Sequence, residues 1–394
     1  MKRIFVWLVI WILVSSSNLY AGPYTSSAHG DSAYGVSRRG ISQYGKGHCA
    51  HCHEQHASID GDEPEPVDGE PSKWCLFANN FNTSAISNPY WQRDNLCFFC
   101  HYSGAGSLQN PAFNNYSYSY TFGGALSLTS PDNIFDAFYS PSYHNLKDIY
   151  DFITGARGSH INFADFPADS NPCSGCHNVH IAKRNKAYPG NPSYTAISRP
   201  SDHNSLWGDD PTERMSAYGA AYQAPYYYTG TTPSGFEPNG ANMDQLTQAG
   251  ITPDYVTFCL DCHISDTIQS TTLARTVGRM TVRKIDWANS VHGQIGRDID
   301  HSMGGYQSTL ELPYTEDASP NYVLSCTDCH EPHGSPNYGY LIRKEVNGGI
   351  TYVRENIKAD WDTLCSKCHS FSHKHDSCIN CHYHGATHMG RPMF

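Results

Sequence analysis

Apolar side chains are scarce in this chain. Hydrophobic residues make up 39% of its 394 positions, below the roughly 45–50% usual for globular domains. Turn formers are abundant instead, with 33 glycines and 23 prolines. Taken alone, that balance predicts disorder, because too little apolar surface can be buried to offset chain entropy. Basic patches are missing as well: 26 Lys and Arg face 37 Asp and Glu, for a formal net charge of −11. Nucleic-acid binding needs clustered cations, so no nucleic-acid partner is expected. No glycine-rich phosphate loop occurs either. Beyond the start of the chain, no apolar run approaches the roughly 20 residues that cross a bilayer.

The start itself reads as a secretory signal, residues 1–21. Lys2 and Arg3 precede a continuous apolar run from Ile4 to Val14, and Ser15 to Ala21 lead to a cleavage site after Ala21. The run has 11 residues, too short to span a membrane. No cysteine follows it before Cys49, which argues against a lipoprotein anchor. The mature chain, 22–394, is therefore expected to be exported, to the periplasm or to the outer surface and extracellular space.

What the chain has in place of an apolar core is cysteine. Fourteen of its 15 cysteines lie in seven CxxCH pentapeptides: Cys49/Cys52/His53, Cys97/Cys100/His101, Cys173/Cys176/His177, Cys259/Cys262/His263, Cys326/Cys329/His330, Cys365/Cys368/His369 and Cys378/Cys381/His382. At these residue frequencies chance predicts roughly 0.03 copies of the pattern. Structural zinc wants four Cys or His ligands and does not explain a histidine after every second cysteine. Thioredoxin-like pairs do not explain seven copies without βαβ patterning, and disulfides do not explain the histidine. Covalent c-type haem explains both: two thiols add to the porphyrin vinyl groups and the histidine reaches the iron as proximal ligand. Seven haems would supply the missing core. The expected fold is a multihaem cytochrome c, mostly irregular coil, with short α-helices at the motifs, small β-hairpins and the haem chain as core. One module is expected over 22–394, with haems 1–2 in 22–110, haem 3 in 111–183, haem 4 in 184–319 and haems 5–7 in 320–394.

Local signals are sparse. Thr252-Pro253-Asp254 offers a cap followed by proline, which predicts a helix running into Cys259. Ala359 to Cys368 reads the same way. Tyr255, Tyr322 and Trp361 each stand four residues before a first cysteine, one helical turn away and on the haem-facing side if the segment is helical. Tyr340 to Val346 and Ile350 to Ile357, around Asn347-Gly348-Gly349, predict a β-hairpin. Residues 111–130 read as loop or short strands, and 184–250 as coil draped on neighbouring haems. Cys368 and Cys378 are so close in sequence that the sixth and seventh haems lie within about 35 Å.

Seven haems need up to seven distal ligands. Of the 22 histidines, seven are proximal and 15 remain. Three motifs continue as CxxCHxxH, giving His56, His180 and His333, and the seventh as CHYH, giving His384. Such a second histidine emerges on the proximal side of its own haem, so it is expected to ligate a neighbouring one. His29, His144, His203 and His292 complete the favoured distal set. His384, His388, His375, His373, His301 and His160 are alternates. Glycine after His29 and after His292 is expected to let haem approach the backbone. His51, inside its own motif, is not expected to be axial, and His48 is left undecided. The fifteenth cysteine, Cys75, reads as a small buried side chain, with a free thiol or an intermolecular disulfide as alternatives.

At these motifs, above all in CSGCHNVH, CTDCHEPHG and CINCHYHG, the chain resembles the exported multihaem c-type cytochromes of metal-reducing bacteria. The stretch from His29 to His56 is similar to a recurring beginning among them. The wide motif spacing and the 27 tyrosines resemble their extracellular filament-forming members. The resemblance implies bis-histidine haems in a stacked chain, little regular secondary structure, and electron delivery to metal oxides or other external acceptors. Other c-type cytochromes or a porin-cytochrome conduit are the partners it implies, with a homo-oligomer or filament as a further possibility. Electron transfer is the leading expectation, and the chain is not expected to be an enzyme. A redox enzyme with one open-site haem, reducing a nitrogen or sulfur oxyanion, is the alternative, although no CxxCK variant of the kind found in pentahaem nitrite reductases occurs. A structural subunit of a conductive filament is the other.

Overall fold

The computed structural model describes residues 22–25, 27–54, 74–82, 94–102, 106–110, 134–154, 166–180, 254–263, 292, 309–311, 322–336, 339–347, 349–354 and 357–370, together with paired strands at 221–222, 276–277, 280–281, 387–388 and 391–392. Among the described residues the α-helices have between four and nine residues, and every sheet is a pair of two-residue strands. None of those helices is long and apolar enough to cross a membrane. Most of the described chain is thus irregular.

Each CxxCH motif among the described residues makes its own local turn. In the first three it is a single 3-10 turn, over Cys49–His51, Leu96–Phe99 and Pro172–Gly175. A polar residue before each turn caps it, because the first N–H groups of a turn have no partner inside it. His48 Nδ1 accepts from Ala50 N at 3.1 Å, Asn95 Oδ1 from Cys97 N at 2.9 Å, and Asn171 Oδ1 from Cys173 N at 2.9 Å. The motif histidine then donates its backbone N–H to the first cysteine's carbonyl, at 2.9 Å for His53, 2.8 Å for His101, 2.8 Å for His177 and 3.0 Å for His330. That closure brings the two thiols and the imidazole to one side of the turn.

Helices enter the motifs in two places. Tyr255–His263 contains the whole fourth motif, and Lys358–Cys365 runs into the sixth. The first begins past Asp254, so Thr252 and Pro253 lie outside the described residues. Tyr255 is buried and Trp361 packs beside Ile342, Val346, Val353 and Leu364. Tyr322 departs from expectation. It lies in the strand Tyr322–Val323, which pairs in parallel with Ala221–Tyr222, and the helical turn starts only at Cys326. Extended backbone at Ser325 separates the two, and an aromatic beside a β-branched residue suits a strand.

The hairpin near residue 347 is present but shorter than expected. Only Glu345–Val346 and Gly349–Ile350 pair, with Gly349 inside the ladder rather than in the turn. Asn347 has φ 46°, as a tight primed turn requires. Tyr340 and Leu341, at φ 54° and 57°, interrupt the first run. Cys75 corrects the burial expectation: it is exposed and sits at φ 54°.

Small apolar clusters fill the space between motifs. Phe98, Phe135, Phe138 and Leu146 form one, with Cys173 packed against it; Phe152 and Ile153 form another beside Cys262. Long-range backbone pairs tie distant segments together, among them Ser142–Tyr143 with Gly334–Ser335. Gly334 is required there, since a Cβ would lie 1.8 Å from the Ala137 carbonyl oxygen. Gly30 is required in the same way: its Cβ would lie 2.0 Å from the Tyr24 carbonyl oxygen, so close backbone packing is itself a reason for that glycine. Residues 111–130, and 184–250 apart from the strand 221–222, lie outside the described residues.

Candidate haem centres

The fold brings motif histidines opposite histidines from elsewhere in the chain. His53 faces His180 with ring centres 6.2 Å apart, His101 faces His29 at 6.1 Å, and His177 faces His333 at 5.9 Å. His263 faces His144 at 6.1 Å, and His369 faces His292 at 6.1 Å. An imidazole nitrogen binds a transition metal at about 2.0 Å and its ring centre lies about 1.1 Å further, so two rings sharing one ion stand roughly 6.2 Å apart. All five separations fit a single metal ion between the rings. Each pair joins one CxxCH histidine to one histidine outside its own motif, the combination that bis-histidine haem needs.

Proton placement agrees with that use. A carbonyl oxygen only accepts, so an imidazole Nδ1 bonded to one carries the proton and leaves the Nε2 lone pair for metal. His53 Nδ1 donates to the Trp74 carbonyl at 3.0 Å, His330 Nδ1 to that of Tyr340 at 2.7 Å, and His29 Nδ1 to that of Val179 at 3.0 Å. His144 Nδ1 donates to the Pro332 carbonyl. His333 Nδ1 lies 3.2 Å from the Glu331 carboxylate. Burial further favours the neutral ring, because an imidazolium loses its hydration there. It pushes His101 down to about 3 and both His263 and His369 down to about 4, and it lowers His144, His180 and His330.

His51 has a different task. It is fully buried, Nδ1 accepts from Arg38 N at 3.0 Å, and Nε2 faces the Gly45 carbonyl at 2.9 Å. Both ring nitrogens are engaged, so neither is available to a metal. His48 caps its turn and stacks on Tyr44 at 4.7 Å.

The motif thiols follow one another through the molecule in sequence order. Cys52 interacts with Cys97, Cys97 forms a hydrogen bond with Cys173, and Cys176 interacts with Cys259. Cys326 forms a hydrogen bond with Cys259, and Cys329 interacts with Cys365. Burial pushes Cys52 up to about 11 and Cys100, Cys176 and Cys329 up to about 12. These thiols stand where thioether sulfurs would be, and burial against apolar atoms suits that bond.

The second and third motifs are clamped together. Asn95 Nδ2 donates to Asn171 Oδ1 at 3.0 Å and Asn171 Nδ2 donates to Asn95 Oδ1 at 3.0 Å, while each oxygen also caps its own turn. Nothing in the sequence marked this pair beyond an asparagine two residues before each first cysteine. The first and fifth motifs also share a local plan. His53 bridges Leu76 and His330 bridges Ile342. Glu54 N donates to the Cys75 carbonyl and Glu331 N to that of Leu341, both at 2.7 Å. Cys75 and Leu341 hold matching left-handed backbone, which gives Cys75 a place as a turn residue.

Other sequence candidates fall elsewhere. His56, His160, His203, His301, His373, His375 and His384 lie outside the described residues, as does the whole seventh motif, Cys378, Cys381 and His382. His388 lies in the strand Thr387–His388, paired with Arg391–Pro392.

One family matches this chain: a doubled CXXCH motif, over residues 319–374. That stretch contains the fifth and sixth motifs together with His333 and His369, one ring each of two of the pairs described above. The doubled motif indicates a multihaem c-type cytochrome with covalently bound, iron-containing haem. Neither the curated proteins nor the solved structures give a match.

Proposed function

We propose that the chain conducts electrons through seven covalently attached haems arranged in one file, outside the cytoplasm. The observation that supports this reading most directly is the succession of motif cysteines from the first motif to the sixth, each within electrostatic range of the next and two of the steps joined by a thiol hydrogen bond. Haem iron, when bound, supplies a one-electron couple between ferric and ferrous states. The chain's own residues supply attachment and both axial ligands. His53 pairs with His180, His101 with His29, His177 with His333, His263 with His144, and His369 with His292. Two imidazoles on one iron leave no exchangeable position, which favours transfer over substrate chemistry. His330 and His382 are the proximal ligands of the two remaining haems, and their distal partners come from His56, His203 and the alternates. Burial of the rings and the hydrogen bonds at Nδ1 tune the potentials.

Export by residues 1–21 and the acidic surface suit delivery to other c-type cytochromes or a porin-cytochrome conduit, and onward to metal oxides or other external acceptors. A filament of copies is the second reading. It is favoured by the likeness of the first motif to the fifth, whose second histidine serves another motif, so that His56 could serve a haem of a second copy. Intact mass of the exported protein tests the conduit: it should equal the chain from residue 22 plus seven haems. Fewer haems break the proposal. Electron microscopy showing only single molecules removes the filament.

A further inference from the structure

The two CxxCHxxH segments among the described residues do more than ligate. In the third motif His177 faces His333, while His180 faces His53 of the first motif. Between them, the Val179 carbonyl accepts from Nδ1 of His29, whose ring faces His101 of the second motif. The fifth motif repeats this arrangement. His333 faces His177 of the third motif. The Pro332 carbonyl accepts from Nδ1 of His144, whose ring faces His263 of the fourth motif. The intervening residues differ, Asn-Val in one segment and Glu-Pro in the other, so only the terminal histidines and the backbone are shared.

We infer that the HxxH tetrapeptide is a three-haem connector. Its first histidine ligates its own haem, and its second ligates the haem two places earlier. The carbonyl before the second histidine orients the distal ligand of the haem between. Val179 and Pro332 are thus positioning residues that act through their backbone. The inference rests on the ligand pairs proposed above. Its physical content is that a donated Nδ1–H fixes the imidazole tautomer and raises the basicity of Nε2, which stabilises ferric iron. Backbone pairing holds the fifth-motif connector in place: His144 N donates to the His333 carbonyl at 3.3 Å, and Tyr143 pairs with Gly334.

The test separates orientation from ligation. In the full-length exported protein, the His144 ring is replaced by its Nδ1-methyl form, which keeps Nε2 but cannot donate. The expected result is one haem whose share of the redox titration moves to higher potential while the spectrum stays low-spin. A titration identical to that of the unaltered protein overturns the connector. His144→Gly provides the second readout: one haem turning high-spin shows that the ligand pair stands. A fully low-spin His144→Gly protein sinks the pairing itself, and the connector with it.

Discussion

At the scale of single residues the chain's chemistry depends on which histidines meet. Residue types alone narrowed the choice. In the proposed assignment a CxxCH histidine serves its own haem, and a second histidine two or three residues on serves another. Which haem it reaches was not legible, because His180 and His53 are separated by more than a hundred residues and meet only through the fold. The proposed pairs make a definite forecast. His333→Gly should open one haem to carbon monoxide, and His177→Gly together with His333→Gly should still open only one site, since both rings serve the same iron. Two equivalents of bound carbon monoxide in the double variant would show that they serve different irons. Non-additivity of this kind is what distinguishes partners from independent sites. Cys75 offers the opposite lesson. A lone cysteine suggested burial, yet its position is dictated by a backbone turn matched at Leu341.

At the scale of elements, the short turns matter more than the helices. Propensity located the helices at Tyr255–His263 and Lys358–Cys365 and a turn at Asn347, because capping, proline and turn chemistry are local. It failed at Tyr322, where a strand partner far along the chain wins over helical spacing. The reciprocal Asn95 and Asn171 amides were equally illegible, since they depend on two motifs packing side by side. Asn95 is fully buried. Asn95→Ala removes a cap and both amide bonds to Asn171, whose Nδ2 keeps Asn80 and whose Oδ1 keeps Cys173 N, so it should cost about 2 kcal/mol. A shifted guanidinium midpoint with the haem count retained is the expected result, and an unchanged midpoint contradicts the clamp. Gly334→Ala should be harsher. Its added Cβ meets backbone at Ala137, so the paired strands must part and carry His144 and His333 with them. Loss of low-spin signal from two haems is the predicted readout; an unaffected spectrum would show that the strand pair does not hold those ligands.

At the scale of the whole molecule, the shortage of apolar residues and the abundance of motif cysteines have one explanation. Clusters such as Phe98, Phe135, Phe138 and Leu146 are small, and several are completed by motif cysteines. Attached porphyrins would join these fragments into a core. The order of the file, from the first motif to the sixth, was not visible in the spacing of the motifs, because gaps of many tens of residues place no useful limit on distance. It emerges from the electrostatic proximity of successive thiols, and the crossed histidines then tie alternate positions together. The most direct test of this account is the spin state of every haem in the purified, oxidised protein, counted by low-temperature electron paramagnetic resonance against the total haem. Five ring pairs predict at least five low-spin haems among seven, with near-parallel rings at His177/His333, 6° apart, and crossed rings at His29/His101, 83° apart, giving distinct low-spin signals. Three or more high-spin haems would contradict it.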